Sequence, residues 1–352
     1  MGNASTKPKL GPRSRRQRGS GIKVSAAQLV TTAPLYSEDS LPCVVSPAVE
    51  GLNLTNWATE QRQWIQEQLW LHGGLLFRNF TNAGAETLES FFAALGGELM
   101  EYAYRSTPRS QVRGRIYTST AYPASESIPL HNEMSYSRNW PMRIGFSCLQ
   151  AAERGGETPI ANSHKVWASL DPDIRETFAR KQVLYVRNYS SELDLPWQTV
   201  FQTDERAEVE AYCQAAGIEW EWRSGDRLRT RQVCQAVAQH PQTGAWVWFN
   251  QAHLFHVSNL PLETRQSLLA VVEEADLPRN TYYGDGTAIA NETLDIVRAV
   301  YADHTVAFPW QTGDILLLDN MLAAHGRRPF FGKRKVVVGM DEPYSRVARQ
   351  GE

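Results

Sequence analysis

The sequence contains little cysteine, and its cysteines are not spaced for structural use. Only four occur among 352 residues, without a CxxC pair: Cys43, Cys148, Cys213 and Cys234. Structural zinc sites and disulfide frameworks need closely or regularly spaced cysteines, so this scatter argues against both a zinc-ribbon protein and a disulfide-stapled secreted domain. We therefore expect a reducing, cytoplasmic location.

Long apolar runs and an excess of one charge are also absent. No stretch approaches the roughly 20 apolar residues that span a bilayer, and the first residues lack the apolar segment of a secretory signal. The formal net charge is −2, which gives no electrostatic reason to expect a nucleic-acid partner. With 42% hydrophobic residues, the composition is that of a soluble globular protein with a sizeable core.

Residues 1–40 form a separate, basic arm. Its lysines and arginines lie among Gly, Ser and Pro: Lys7, Lys9, Arg13, Arg15, Arg16, Arg18 and Lys23. Such a segment cannot bury enough apolar surface to become ordered, so we expect disorder. Met1-Gly2 with Thr6 also fits an N-myristoylation pattern, which together with the basic residues would make a membrane anchor. A solvated tail is the alternative, without any membrane contact.

Residues 41–352 are expected to form one domain. Helical spacing extends from Leu54 to the Gly73-Gly74 pair and from Ala85 to Leu95, with the short apolar strand GLLFRNF between them. Near the end of the chain, TVAFPW, GDILLLDN and KVVVGMDEP have the length and turn signals of short strands, as in a jelly roll.

The middle of this domain, about residues 163–303, has a different pattern and is expected to be an insertion. Helical patterns dominate it, at 166–181, 205–216, 262–275 and 290–302. Strand-like segments lie between the helices: IEWEWR, RLRTRQV and WVWFN.

Three residues far apart in the sequence could form a metal site. His131 and Glu133 are two positions apart, and side chains at i and i+2 of an extended strand point to the same side. His325, which follows the apolar segment ILLLDN, is the candidate third ligand. Two histidines and one carboxylate leave coordination positions open and are the ligand set of non-haem Fe(II) oxygenases. A hydrogen-bonded surface pair is the alternative for His131 and Glu133.

Arginines cluster behind the third candidate ligand. Arg327, Arg328 and Arg334 all follow His325 within ten residues, and Arg334 opens the apolar segment RKVVVGM. A buried guanidinium needs an anionic partner. The distal carboxylate of 2-oxoglutarate would provide one, in the bidentate geometry that arginine favours. For Arg327 and Arg328, pairing with a surface Asp or Glu is the alternative.

With these motifs the chain resembles the taurine dioxygenase-like Fe(II)/2-oxoglutarate oxygenases, and most closely their SyrP-like branch, which is associated with amino-acid hydroxylation in natural-product pathways. The resemblance extends from about Leu41 to Asp341 and rests on the order of six segments: LPCVVSP, HGGLLFRNF, LHNEMSYSRNWP, GGETPIAN, VWFNQAHLFH and DNMLAAHGRRPFFGKRK. It implies an α+β, mainly β fold. The core would be a double-stranded β-helix, a clavaminate synthase-like jelly roll, with flanking helices and the long helical insertion over its mouth.

The resemblance also assigns roles to residues of this chain. It makes three residues the iron ligands: His131, Glu133 and His325. Thr158, in GGETP, falls where the family places a hydroxyl that hydrogen-bonds the cosubstrate carboxylate. Arg334 falls at the family's 2-oxoglutarate arginine, and Arg328 is the residue that could share that task. The implied cofactors are Fe(II), 2-oxoglutarate as cosubstrate, and O2.

The segment VWFNQAHLFHVSN falls where this branch borders the substrate. Asn250 and His253 are therefore candidate substrate contacts, and Arg138 could bind a substrate carboxylate. Each has a structural alternative: VWF as a core strand, His253 and His256 as hydrogen-bonded core residues, and Arg138 as a solvated surface charge.

The function predicted from these residues and the resemblance is a non-haem Fe(II)/2-oxoglutarate dioxygenase. Its substrate would be an amino acid or amino-acid derivative, free or tethered to a carrier protein, with an unactivated C–H bond to hydroxylate or desaturate. Halogenating relatives have a small residue in place of the ligand carboxylate, so Glu133 favours hydroxylation or desaturation. A zinc-dependent hydrolase at the same ligands and a non-catalytic small-molecule binding protein on the same barrel are the alternatives.

Overall fold

The computed structural model describes residues 1–2, 29–36, 41–81, 85–101, 111–118, 122–190 and 194–346. Most of the basic arm, including Thr6 of the myristoylation pattern, lies outside the described residues, so the disorder expected there stays a prediction. For the end of the arm that expectation is wrong, because Val30–Pro34 form a strand that pairs with Cys43–Pro47. Within the described ranges, no helix is long and apolar enough to cross a membrane.

Short strands alternate with helices along the described chain. The strands are β1 (Val30–Pro34), β2 (Cys43–Pro47), β3 (Gly74–Phe77), β4 (Gln111–Arg113), β5 (Ile116–Thr118), β6 (Ile128–His131), β7 (Asn139–Gln150), β8 (Arg154–Gly155), β9 (Ile160–Asn162), β10 (Val183–Tyr189), β11 (Glu219–Arg223), β12 (Arg227–Cys234), β13 (Val237–Gln239), β14 (Trp246–Trp248), β15 (Arg279–Tyr283), β16 (Ile315–Asp319), β17 (Ala323–Arg327), β18 (Phe330–Phe331) and β19 (Lys335–Ser345). The α-helices are α1 (Leu54–Glu60), α2 (Arg62–His72), α3 (Ala85–Ala94), α4 (Ser163–Ser169), α5 (Pro172–Lys181), α6 (Trp197–Phe201), α7 (Arg206–Ala216), α8 (Ala252–Phe255), α9 (Leu262–Val271) and α10 (Asn291–Asp303).

Two sheets form the β core. The larger has eight strands in the order β1-β2-β3-β16-β7-β19-β5-β4. Its neighbours are antiparallel except for the parallel pair β2–β3. The smaller sheet has the order β6-β17-β9, and the pair β18–β8 continues beside it. In the described part of the chain these sheets are not hydrogen-bonded into a closed barrel.

The packing of β16 explains its uninterrupted apolar sequence. Leu316 and Leu318 lie in one cluster with residues of the smaller sheet, such as Ile160. Ile315 and Leu317, on the opposite face, pack with residues of α1, α2 and α3. Because both faces of the strand are covered, every position is apolar and there is no polar alternation. The strand thus carries the chain through the middle of the core to the loop that precedes His325.

The chain between β9 and β16 contains most of the helices and a sheet of its own. This sheet has the order β11-β12-β10-β15, and β13–β14 form a separate hairpin. The helical patterns correspond to α4 with α5, α7, α9 and α10, and the strand-like segments to β11, β12 and β14. The segment that looked mainly helical in sequence is therefore mixed. We call residues 163–303 the middle segment.

Two sequence expectations are wrong. The helix expected from Leu54 is split, because Gln61 has φ −115° and ψ 21° and separates α1 from α2; the second helix does end at Gly73, at φ 76°. The strand expected for TVAFPW does not form. Only Val306 makes an isolated bridge, to Ile160, and the nearby Pro309 has no N–H to extend a ladder.

Candidate metal centre

Pairing of β6 with β17 brings two histidines together. His131 is the last residue of β6 and lies directly opposite His325 in the antiparallel pair, with ring centroids 4.6 Å apart. The adjacent Gly326 allows this approach, since a Cβ there would lie 2.5 Å from the carbonyl oxygen of Ile128. Any larger residue would push β6 away from β17. The HG dipeptide is thus part of the site.

Glu133 is positioned by Asn320 rather than by strand geometry. Strand β6 ends at His131, so the i, i+2 argument that pointed to Glu133 does not apply. Instead, Asn320 Oδ1 accepts a hydrogen bond from the Glu133 N–H at 2.7 Å, and its Nδ2 donates to the carbonyls of Glu133 and Pro141 at 2.9 Å each. Met134, at φ 57°, then turns the chain. The sequence therefore pointed to Glu133 by an argument that does not hold in the structure.

The three side chains converge with the spacing of metal ligands. Their candidate ligand atoms lie within 4.8 Å of one another. His325 Nε2 lies 4.0 Å from Glu133 Oε2, too far for a hydrogen bond. Two ligands each about 2.1 Å from one ion are at most about 4.2 Å apart, so the 4.0 Å between these two atoms is compatible with one shared ion. Two imidazoles and one carboxylate are also the donors that non-haem Fe(II) takes.

The surroundings favour metal binding by the imidazoles. His131 Nδ1 lies 2.8 Å from the Pro129 carbonyl oxygen, so it must carry the proton, and Nε2 keeps its lone pair for a metal. Glu133 and His325 are 2% and 4% exposed, and the Phe146 ring packs against His325 at 5.0 Å. His131 is half-buried, which places the solvent-accessible side of the centre at its ring.

The two residues expected to bind the cosubstrate meet at the segment that leads into β9. Thr158 belongs to this segment, and Arg334 packs against it. Arg334 precedes β19 and donates from Nε to the Gly156 carbonyl at 2.9 Å. Its side chain packs so closely on Gly156 that a Cβ there would lie 2.9 Å from Arg334 Cδ. Thr158 is buried and accepts a hydrogen bond from Trp310 Nε1 at 3.1 Å. Two residues later, Ile160 pairs with His325.

A second guanidinium, that of Arg327, lies near Arg334. Burial, together with the charge of Arg327, lowers the pKa of Arg334 to about 10. Arg327 is itself buried, and burial lowers its pKa. It donates to three carbonyl oxygens, of Tyr122, Pro123 and Glu126, and makes no ion pair with an acidic residue of the described chain. The surface pairing considered for Arg327 is therefore wrong.

Arg328 does not share this environment. Its side chain is exposed while that of the preceding Arg327 is buried, as successive residues of an extended chain alternate. The structure thus gives no support to the expectation that Arg328 helps to bind the cosubstrate, and Arg334 is the stronger candidate.

The candidate substrate residues have structural partners instead. Asn250 is fully buried: its Nδ2 donates to the Ala236 carbonyl at 2.7 Å and its Oδ1 accepts from the Ala252 N–H at 3.0 Å. His253 is hydrogen-bonded through Nε2 to the Leu130 carbonyl at 2.9 Å. Arg138 donates to the Val233 carbonyl at 3.1 Å, on the strand β12. Asn250 and His253 thus have the hydrogen-bonded roles that the sequence allowed as alternatives, and the three substrate contacts stay predictions.

Sequence reasoning missed the side chains that hold the turn at residues 132–137. Asn320 holds Glu133, as described above. Gln251 Nε2 donates to the Asn132 carbonyl at 2.8 Å, and Gln235 Nε2 to the carbonyls of Ser135 and Ser137 at 2.9 and 3.0 Å. Amides that donate to backbone leave no periodic pattern in a sequence. The position of Asn320, five residues before His325 and directly after an apolar strand, was the available signal.

Comparison with known proteins shows which family the chain belongs to. A family model described as taurine catabolism dioxygenase TauD, TfdA family matches residues 38–340. The chain belongs to the TauD/TfdA family. This member is 42% identical over 279 residues to the dapdiamide synthesis protein DdaC of Enterobacter agglomerans, covering 79% of this chain and 85% of the relative. It is 27% identical over 328 residues to a clavaminate synthase-like protein of Arabidopsis thaliana, covering 87% and 94%.

Solved structures show the same fold. The crystal structure of PvcB from Pseudomonas aeruginosa has a TM-score of 0.54 at 17% identity and covers 91% of this chain and 93% of that chain. A second PvcB structure, described as an Fe, alpha-ketoglutarate dependent oxygenase from an isonitrile synthetic pathway, has a TM-score of 0.53 at 17% identity and covers 89% and 92%. The jelly-roll fold expected from the sequence is confirmed.

Membership of the TauD/TfdA family fixes the enzyme class. The protein is a dioxygenase that depends on Fe(II) and 2-oxoglutarate, uses O2 and acts on a small molecule. The predicted family, activity class and cofactors are therefore confirmed. The zinc hydrolase and the non-catalytic binding protein, which the sequence left open, are wrong.

Proposed function

We propose that His131, Glu133 and His325 bind the Fe(II) of this dioxygenase. The observation that carries this assignment is the convergence of the three ligand atoms within 4.8 Å, from positions far apart in the chain. The Pro129 carbonyl sets the tautomer of His131, and Asn320 fixes the backbone on both sides of Glu133. Both contacts orient a ligand without occupying its donor atom.

Arg334 and Thr158 are proposed to bind 2-oxoglutarate. The bond from Arg334 Nε to Gly156 fixes the direction of the guanidinium, which can pair with the distal carboxylate in bidentate fashion. Thr158 uses an oxygen lone pair for Trp310, and a hydroxyl that accepts one hydrogen bond can still donate its own hydrogen to a carboxylate. The nearby Arg327 adds a second positive charge, so a dianionic cosubstrate suits this region.

The reaction is proposed to be hydroxylation or desaturation of an unactivated C–H bond. Fe(II) with 2-oxoglutarate and O2 supplies the oxidising power when bound. Three side chains would hold the metal, and the carboxylate of Glu133 would fill the place that halogenating relatives leave to chloride. Burial of Glu133 and His325, with Phe146 against the latter, keeps water from that side of the centre.

The proposed substrate is an amino acid or an amino-acid derivative in a natural-product pathway, free or attached to a carrier protein. Support comes from relatives: the dapdiamide synthesis protein DdaC is 42% identical, and PvcB, which shares the fold, comes from an isonitrile synthetic pathway. Asn250, His253 and Arg138 each donate to a backbone carbonyl, and the substrate class is proposed from the relatives.

The test combines metal loading with turnover. Protein loaded anaerobically with Fe(II) and 2-oxoglutarate should develop a visible charge-transfer band, and the right amino acid in a screen should shift it. In air, that compound should stimulate succinate formation. His325→Ala should lose the band, Glu133→Ala should lose substrate-dependent succinate, and the control Arg328→Ala, altered at an exposed side chain, should keep both. Full turnover by Glu133→Ala or His325→Ala would contradict the ligand assignment.

A further inference from the structure

Two side chains from the middle segment hold the backbone on either side of His131. Gln251 Nε2 donates to the Asn132 carbonyl at 2.8 Å, and His253 Nε2 donates to the Leu130 carbonyl at 2.9 Å. Gln251 and His253 are both 2% exposed, so neither bond competes with solvent. Both residues belong to one short stretch at the start of α8. A single element thus contacts the chain immediately before and immediately after a proposed metal ligand.

The contact at Asn132 fixes the orientation of Glu133 as well. A peptide unit is planar, so the Asn132 carbonyl and the Glu133 N–H belong to one rigid group. Gln251 holds the carbonyl end of this group, and Asn320 Oδ1 accepts from its N–H end at 2.7 Å. With both ends held, the group cannot rotate about the chain. The starting direction of the Glu133 side chain is therefore set by Gln251 and Asn320 together.

The contact at Leu130 works in the same way on His131. The Leu130 carbonyl and the His131 N–H form the preceding peptide unit, which His253 holds. Because a carbonyl only accepts, His253 Nε2 must carry the proton. The other ring nitrogen, Nδ1, is buried with no hydrogen-bond partner in the described protein, and the ring packs on Tyr301 at 4.8 Å. Leaving the buried acceptor Nδ1 unsatisfied is unfavourable. The ring nevertheless keeps the orientation in which Nε2 donates to Leu130, which argues that this hydrogen bond has a role.

The supporting stretch is itself anchored at several points. The backbone N–H of Gln251 donates to the Tyr185 hydroxyl at 2.7 Å. The Arg298 guanidinium, from α10, donates to the His253 carbonyl at 3.2 and 2.9 Å. Strand β10 and helix α10 therefore hold the stretch from two sides. It is built as a rigid support, unlike a loop that would adapt to a substrate.

We propose that Gln251 and His253 are positioning residues that hold His131 and Glu133 in metal-binding geometry. The proposal rests on the ligand assignment under the proposed function. In it, the middle segment contributes to metal binding without supplying a ligand. Supports of this kind around metal ligands typically change metal affinity by about 10- to 100-fold.

The test measures metal affinity in the metal-free protein, without turnover. Co(II) is titrated anaerobically and its visible absorption is followed, while thermal unfolding of the metal-free form reports folding. Gln251→Met and His253→Phe remove the donors and should weaken Co(II) binding by about 10-fold or more. His253→Gln places an amide nitrogen near the position of Nε2 and should restore binding. The control Tyr301→Phe alters the neighbouring ring without touching either bond and should bind as the wild type does.

The outcomes separate the two claims. Gln251→Met and His253→Phe that fold and bind Co(II) as tightly as wild type would overturn the positioning role and leave the ligand assignment intact. If His253→Phe does not fold, Gln251→Met and the comparison of His253→Gln with Tyr301→Phe decide the question. Wild-type Co(II) binding that His325→Ala leaves unchanged would overturn the ligand assignment, and the positioning role with it.

Discussion

Replacing Asn320 with alanine should weaken both the fold and the metal centre, by amounts that the structure allows us to work out. The side chain makes three buried hydrogen bonds, two to the backbone of Glu133 and one to that of Pro141. At about 1 kcal/mol for each bond, the free energy of unfolding should fall by about 3 kcal/mol. Glu133 would also lose the group that fixes its peptide, so Co(II) affinity should fall by about 10- to 100-fold.

Asn280 offers a matched control for Asn320. It is also a buried asparagine with three hydrogen bonds: Oδ1 accepts from the Val257 N–H at 3.1 Å, and Nδ2 donates to Glu274 Oε1 at 3.3 Å and to the Tyr282 hydroxyl at 3.1 Å. It contacts none of the proposed ligands. Asn280→Ala should therefore be destabilised to a similar degree while its Co(II) affinity stays at the wild-type level.

The assay pairs urea unfolding of the metal-free proteins with anaerobic Co(II) titration at a temperature where all three are folded. We expect similar stability losses in the two variants and a loss of Co(II) affinity in Asn320→Ala alone. Equal affinity in the two variants would refute the claim that Asn320 sets the position of Glu133. A loss of affinity in both would show that general destabilisation, not the clamp, controls metal binding.

Three further predictions concern the surroundings of the centre. Arg334→Leu should raise the 2-oxoglutarate concentration needed for half-maximal rate, because losing one partner of a buried charged pair costs about 2–5 kcal/mol. The control Arg328→Ala should leave that concentration unchanged. Equal effects in the two variants would contradict the assignment of Arg334 to the cosubstrate. Gly326→Ala should lower metal affinity measured by Co(II) titration, because the new Cβ would meet the Ile128 carbonyl; wild-type affinity would show that β6 can move at no cost. Burial lowers the pKa of His256 in the folded protein to about 4. As the pH falls below about 6.5, this histidine therefore binds a proton in the unfolded chain but not yet in the folded one, and the free energy of unfolding decreases towards pH 4. The variant His256→Asn keeps a hydrogen-bond acceptor at this cap and should take up about one proton fewer than the wild type on unfolding at pH 5. The free energy of unfolding should therefore depend less steeply on pH. An unchanged slope would argue against this effect of burial.

The metal centre could be predicted from the sequence because its chemistry needs particular residue types. Imidazoles and a carboxylate are scarce enough in apolar surroundings that His131, Glu133 and His325 were identifiable, although the route to Glu133 was wrong. Strand periodicity describes only residues within a strand, and β6 ends at His131. Beyond that point the chain is placed by side-chain hydrogen bonds from Asn320, which no local pattern encodes.

The substrate contacts are harder to predict for a related reason. Asn250 Nδ2 and His253 Nε2 donate to the backbone carbonyls of Ala236 and Leu130. Whether a buried polar side chain faces a ligand or the backbone depends on contacts between distant segments. Arg328 and Arg327 illustrate the same limit: one is exposed and the other buried, although the sequence treats the two neighbours alike.

The pairing of His131 with His325 has a consequence for how the protein comes apart. The whole middle segment lies between these residues in the chain, so an ion held by both would act as a crosslink that closes a very long loop. An ion bound only by the native form also raises the free energy of unfolding with its concentration. Loading with metal should therefore protect α4 to α10 against proteolysis, although none of those helices supplies a ligand. Cleavage patterns with and without Co(II) would make this visible.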